Sequence, residues 1–253
     1  MDRIMRSEKT LWLTVALTCV GYCLSPNLSH ATTFNVSPIR VELSAVKPTS
    51  FLTITNDDGA PKVVQVELMA WSQAEQRNIF VPSNDIVVNP PIFTVKPGST
   101  QIVRLGLRRP IEADRELSYR LFLTEVPPPV ESAAQRMSQG LQIVLRLSVP
   151  IFISTQNKPV PTLSWKAVSD KDGAIHLTAT NTGNMHFQIQ DFKLTVPASS
   201  RVLAKQTGAV YLLPEQSWHW RFNPDTHWRA DSLYLSARTD SGDINEEVEL
   251  QRQ

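Results

Sequence analysis

Cysteine is nearly absent from this sequence: 253 residues hold two, Cys19 and Cys23, both inside the first apolar stretch. Beyond that stretch there is no thiol for a disulfide framework or a thiolate metal cluster, so the fold must stand on hydrophobic cores alone. Glycine is scarce as well, nine residues in all, and none forms a phosphate-cradling loop. After Leu24 no apolar run is long enough to cross a bilayer. Neither sign of charge dominates. Leaving out residues 1–31, with Arg3, Arg6, Lys9, Asp2 and Glu8, reduces the 25 basic and 24 acidic residues to 22 of each. A chain so balanced has no basic footprint for nucleic acid or for an anionic membrane surface.

The N-terminus shows what is present instead. Arg3, Arg6 and Lys9 precede an apolar run from Leu11 to Leu24, and Ser29-His-Ala31 sets small residues at −3 and −1 of a cleavage site. This pattern is a secretory signal peptide rather than an anchor. Neither cysteine is preceded by the residues a lipoprotein site requires, and the mature chain is expected to begin at Thr32. About 220 residues then remain, enough for two domains of about 100 residues each.

From Phe34 onward the chain reads as short alternating segments separated by Pro, Asn, Asp and Gly, with hardly any 3.6-residue period. That pattern predicts an all-β protein built of sandwiches. In the first half strands are expected at residues 34–43, 50–56, 62–71, 86–88, 92–95, 100–107, 119–126 and 141–153. In the second half they are expected at 163–168, 175–181, 186–196, 210–213, 217–222, 233–239 and 246–251. Asn56-Asp-Asp-Gly59, Lys96-Pro-Gly98, Asp170-Lys-Asp-Gly173 and Asp240-Ser-Gly242 supply the turns. The polar, proline-bearing stretch 155–161 reads as a stiff linker. It divides an N-terminal domain, 32–154, from a C-terminal domain, 162–253, and no internal repeat is clear at the residue level.

The most regular strand is Leu141-Gln-Ile-Val-Leu-Arg-Leu-Ser-Val149. Leu141, Ile143, Leu145, Leu147 and Val149 share one face at a strict period of two. Such a row either fills the chain's own core or sits near a sheet edge and completes another protein's sheet.

Catalytic chemistry is hard to find. His176, His186, His219 and His227 have no partner at metal-ligand spacing, and Asp114-Arg-Glu116 reads as a solvated loop cluster. No metal, cofactor or enzymatic activity is expected. Trp218-His-Trp-Arg221 could form a sugar-stacking ledge, but two tryptophans at a period of two more commonly fill a sandwich face.

Five segments, in this order, carry a resemblance: Val36-Ser-Pro-Ile-Arg-Val-Glu-Leu43, Leu52-Thr-Ile-Thr-Asn-Asp57, Asn89-Pro-Pro-Ile-Phe-Thr-Val-Lys-Pro-Gly98, Ser118-Tyr-Arg-Leu-Phe-Leu-Thr-Glu-Val-Pro-Pro128 and the strand from Leu141 to Phe152. Followed by Thr180-Asn-Thr-Gly183, they resemble the periplasmic pilus-assembly chaperones of the chaperone–usher pathway over essentially the whole mature chain. The resemblance implies two tandem immunoglobulin-like domains in a boomerang. It implies a periplasmic chaperone that captures pilus subunits lacking a final strand by donor-strand complementation and delivers them to an outer-membrane usher. It assigns Leu141, Ile143, Leu145 and Leu147 as the donated row, and Arg40 as one of two cations that hold the subunit's terminal carboxylate. The second cation, a lysine in the family, falls on Pro150. Arg146 is the nearest substitute, with Arg104 and Arg120 on neighbouring strands as further candidates. Pro61 matches a usher-facing proline. The proline at 150 and the missing disulfide are similar to the branch called archaic. The exposed apolar row further predicts self-capping as a homodimer or oligomer when no subunit is bound. The competing expectation is a secreted adhesive or glycan-binding sandwich that uses Trp218 and Trp220.

Overall fold

The structure is a computed structural model, and it describes residues 34–110, 113–127, 144–197, 199, 201–224 and 228–252. The expected signal peptide, together with Leu141 and Ile143, lies outside the described residues.

Seventeen strands and no helix make up the described chain. Ten belong to the first half. One sheet has the order β1 (Phe34–Ser37), β3 (Thr49–Asn56), β8 (Thr100–Leu107) and β6 (Ile86–Asn89). The facing sheet has the order β2 (Val41–Leu43), β10 (Arg146–Ile153), β9 (Leu117–Val126), β4 (Lys62–Ala74) and β5 (Arg77–Pro82), with β7 (Ile92–Val95) also on β4. Alternate residues of both sheets, among them Leu52, Ile54, Val103, Leu105, Leu121, Leu123 and Ile151, fill one core between them.

The remaining strands form one seven-stranded order. It runs β14 (Arg201–Leu212), β13 (Phe187–Val196), β16 (Ser232–Thr239), β17 (Gly242–Arg252), β11 (Leu163–Ser169), β12 (Ile175–Asn181) and β15 (Ser217–Phe222). Trp165, Ile175, Leu177, Phe192, Leu194 and Leu235 lie at the centre of a second core. Trp218 and Trp220 pack against that core. The Trp220 ring lies 4.9 Å from Phe192 and 6.1 Å from Trp165, so these rings cover a sandwich face rather than form a free ledge.

Several strands depart from the sequence reading. The expected strand 34–43 is two strands, because Pro38 has no amide to donate to a ladder. Before the break the chain belongs to one sheet and after it to the other. The expected strand 141–153 begins, among described residues, at Arg146. Strand β5 was not anticipated: all six of its residues are exposed, so no burial pattern marks it.

The two halves repeat one device. Asn56 is fully buried at the end of β3; its amide donates to Ala60 O (2.8 Å) and Val95 O (3.0 Å), and its oxygen accepts from Asp58 N (3.0 Å). Asn181, equally buried at the end of β12, donates to Met185 O (2.8 Å) and Leu212 O (2.9 Å) and accepts from Gly183 N (3.0 Å). Each asparagine ties a strand end to the following turn and to a distant strand. Gly183 has a further task. A Cβ there would sit 2.1 Å from Val160 O, so only glycine lets residues 155–161 lie against this turn. Asn184 then clasps them, with Val160 N donating to its Oδ1 (2.8 Å) and its amide donating to Lys158 O (3.1 Å).

Candidate functional site

The break at Pro38 delivers Arg40 to the boundary between the two sandwiches. Val41 and Leu43 point into the first core, so Arg40 and Glu42 occupy the opposite face. There the Arg40 Nη1 donates to Asp240 Oδ2 (2.7 Å), in the turn between β16 and β17. It also lies 3.3 Å from His186 Nε2, while its Nε is 3.7 Å from Glu42.

His186 is the hub of this boundary. Its Nδ1 lies 2.7 Å from Glu116 Oε1, which also accepts the His186 backbone amide at 3.0 Å. Its Nε2 is 3.3 Å from Asp240 Oδ2, and its ring stacks on Phe152 at 3.5 Å and 5°. Burial pushes the imidazole toward the neutral form, but the Asp240 and Glu116 carboxylates outweigh it and hold its pKa above the usual histidine value. Asp240 is depressed: burial acts upward on it, and His186, the Gln188 amide and Arg40 together act more strongly downward.

Beside this hub, Phe152, Trp71 and Leu213 form an apolar seam, with Tyr211 against it. Gln73 crosses the seam, donating to Tyr211 O (2.8 Å) and accepting from Leu213 N (3.0 Å). The seam is why β10 does not keep a simple alternation. Val149, Ile151 and Ile153 enter the first core, and Pro150 and Phe152 are buried on the other face.

Of the further candidate cations, Arg120 is the one that falls in register with Arg40. It pairs across β9 and β10 with Pro150, and Ile151 pairs with Val41 on β2. Arg40, Pro150 and Arg120 thus fall in one row across three strands, on the face turned toward the second sandwich. The Arg120 guanidinium lies 3.9 Å over the Trp71 ring and 5.0 Å from Tyr211. It makes no ion pair with any described carboxylate, and its Nε is buried without a hydrogen-bond partner. Burial lowers its pKa, against a smaller upward pull from Tyr211. The Tyr211 phenol is itself raised by burial and drawn back by both guanidinium charges.

The other candidates lie elsewhere. Arg146 sits four residues up β10 from Pro150, about 13 Å along the strand. It faces outward, 4.2 Å over the Phe122 ring and 3.7 Å from Glu67. Arg104 is exposed on β8, across from Phe51 and Asn89. Neither joins Arg40. Pro61 is exposed in the turn before β4. Leu145 and Leu147 are half-buried, over Phe34, Val64 and Leu123 at one end of the first core.

The edge of β10 completes the site. On one side it pairs with β9 from Arg146 to Ile153, but on the other it pairs with β2 only from Ile151 to Ile153. Among the described residues no strand pairs with 146–150 on that side, leaving an edge that ends beside Arg40 and Arg120.

Comparison with known proteins follows the same lines. Residues 33–157 match the family described as pili and flagellar-assembly chaperone, PapD N-terminal domain. No curated protein matches the chain by sequence. Among solved structures, the CsuC–CsuE chaperone–tip adhesion subunit pre-assembly complex from archaic chaperone–usher Csu pili of Acinetobacter baumannii contains a chain similar at TM-score 0.60 and 20% identity, covering 87% of this chain and 99% of that one. The CupB2 chaperone of Pseudomonas aeruginosa is similar at 0.53 and 20%, covering 85% and 100%. A chain of the Salmonella enterica SafA pilin–SafB chaperone complex is similar at 0.57 and 17%, covering 87% and 96%.

Proposed function

By its residues 33–157 this chain belongs to the family of pilus-assembly chaperones, and on that footing we propose that it completes an unfinished pilus subunit by lending it the edge of β10. The observation that carries this reading is the edge at residues 146–150, unpaired among the described residues, directly before the point where β2 takes over the pairing. A client strand laid along that edge gains ladder hydrogen bonds, and the row Leu141, Ile143, Leu145 and Leu147 fills its open core. No covalent step, metal or nucleotide is required.

The client's terminal carboxylate is bound between Arg40 and Arg120. A half-buried cation without a counter-charge is costly, and an incoming carboxylate removes that cost while accepting charge-assisted hydrogen bonds. Arg120 thereby replaces the lysine whose position Pro150 occupies. Within the family we assign the chain to the archaic branch. Pro150, the lack of cysteine after Cys23 and the fold likeness to the Csu complex chain support that assignment. The periplasm is its compartment, by the signal-peptide pattern of residues 1–31, and an outer-membrane usher receives the client, with exposed Pro61 on the usher-facing side. Without a client the same edge caps a second copy of the chain.

The test is to purify tagged chain from the periplasm of its own host and identify what accompanies it. A β-rich subunit at one-to-one stoichiometry, absent with the Ile143→Asp variant, is expected. Cells that make surface fibres but yield no subunit with either chain would refute the reading.

A further inference from the structure

The Arg40 side chain is not simply free to meet a client carboxylate. It shares an acceptor with His186: Arg40 Nη1 donates to Asp240 Oδ2 at 2.7 Å, and His186 Nε2 stands 3.3 Å from both Asp240 Oδ2 and Arg40 Nη1. The other face of the carboxylate is fixed, since Asp240 Oδ1 accepts from the Gln188 amide at 2.8 Å. Glu116 Oε1 lies 2.7 Å from His186 Nδ1, and a carboxylate can only accept there, so Nδ1 carries a proton. The variable proton of this ring is therefore the one on Nε2, the atom between Arg40 and Asp240.

Resting on the client reading above, we propose that His186 is a positioning residue that sets how tightly Arg40 is held back from the client carboxylate. With Nε2 unprotonated, the ring accepts from Arg40, and the guanidinium is bound by two acceptors, the imidazole and Asp240. With Nε2 protonated, the ring donates to Asp240 Oδ2 instead, competes for the same oxygen and repels the guanidinium. Arg40 is then released toward the row it shares with Pro150 and Arg120.

Every element around the ring fits this role. Glu116, just before β9, and Asp240, between β16 and β17, are the anionic neighbours. Arg40, before β2, is the cationic one. Phe152 of β10 stacks on the ring, and Tyr211 of β14 lies 5.9 Å away with its phenol un-ionised. Arg120 of β9 reaches the same Tyr211 ring from the client side. Two carboxylates flank the imidazole, so its charged form is supported within the range where a client's terminal carboxylate, ordinarily ionised above about pH 4, stays charged. Protonation of His186 therefore changes the chaperone's side of the contact and leaves the client's side alone.

The probe is a twelve-residue peptide of alternating Val and Thr ending in a free carboxylate, beside the same peptide ending in an amide. Binding to the full mature chain is measured from pH 5.5 to 8.5, together with the Arg40 side-chain and His186 ring nitrogen signals of the free chain by NMR. The acid peptide is expected to lose about fivefold in affinity as pH rises, the worth of one net hydrogen bond, and the amide to show no such change. His186→Asn, which keeps a donor toward Glu116 but removes Nε2, should flatten the acid peptide's profile. In the unsubstituted chain, Arg40 signals should move with the midpoint of His186. Arg40 signals that ignore the His186 titration, or equal pH profiles with and without the imidazole, would overturn the proposal. If neither peptide binds at any pH the client reading fails, and the Arg40 signals alone decide whether the ring governs the guanidinium.

Discussion

Arg120 stands directly opposite Pro150 in the antiparallel pair of β9 and β10, its guanidinium spread over the Trp71 ring with no described acid to neutralise it. On the proposed reading, a charge in that setting costs stability in the free chain and is neutralised by a client's carboxylate.

Replacing it should separate those two effects. Arg120→Met keeps cover over Trp71 and removes the buried charge, so thermal stability should hold or rise. Client co-purification should fall about tenfold or more, the worth of a charge-assisted hydrogen bond. A variant that unfolds but still binds its client would contradict both halves.

The seam between the sandwiches depends on Phe152. It is fully buried, stacked on His186 and packed beside Trp71 and Tyr211. Phe152→Ala should cost about 3–5 kcal/mol in urea unfolding. It should also raise amide exchange at Gln73 and Leu213, which bond across the seam.

Stability should follow the protonation of His186. Its pKa is raised in the folded chain, so its contribution is complete below the unfolded value, near 6.5, and is lost as pH rises through the folded value. The stability gap between the unsubstituted chain and His186→Asn should therefore hold steady up to about pH 6.5 and shrink above it. A gap that widens with pH would reverse the sign and rule out ion pairing as its source.

The twin asparagines give a matched pair. Asn56→Asp and Asn181→Asp each remove two amide donations to backbone carbonyls and place a carboxylate at a fully buried site. Each should cost roughly 3 kcal/mol or more near pH 7, and lowering the pH should recover part of the loss. Chemical denaturation of the two variants, side by side, checks this.

Much of this architecture was legible because strands write a period of two into the sequence. Hairpins at Asp170–Gly173 and Asp240–Gly242, and most strand positions, followed from alternation and turn residues. The bond from Arg40 to Asp240 did not, because it joins residues two hundred positions apart and only tertiary packing brings them together. Arg146 looked the better substitute for the missing cation, being on the same strand as Pro150. The structure sets Arg120 in register with Pro150 across the ladder, a placement that depends on register rather than sequence distance. One signal was available for the seam. In Val149-Pro-Ile-Phe-Ile153 the alternation gives way to a continuous apolar run, the mark of a strand covered on both faces. Asn56 and Asn181 likewise sit in Thr-Asn-Asp and Thr-Asn-Thr, a likeness too short to mark as a repeat until both side chains were seen making equivalent bonds.

If a client lies along β10 as proposed, the start of β2 at Val41 makes the site a gauge of length. A strand sliding along β10 is halted at Ile151, where Val41 already occupies the edge, and the two guanidiniums wait at that stop. Only a chain whose last residue arrives there can satisfy both the ladder and the charges. On the proposed reading the chaperone would count its client's residues backward from the free end, and that count would decide which side chains drop into the groove before their own shapes are tried.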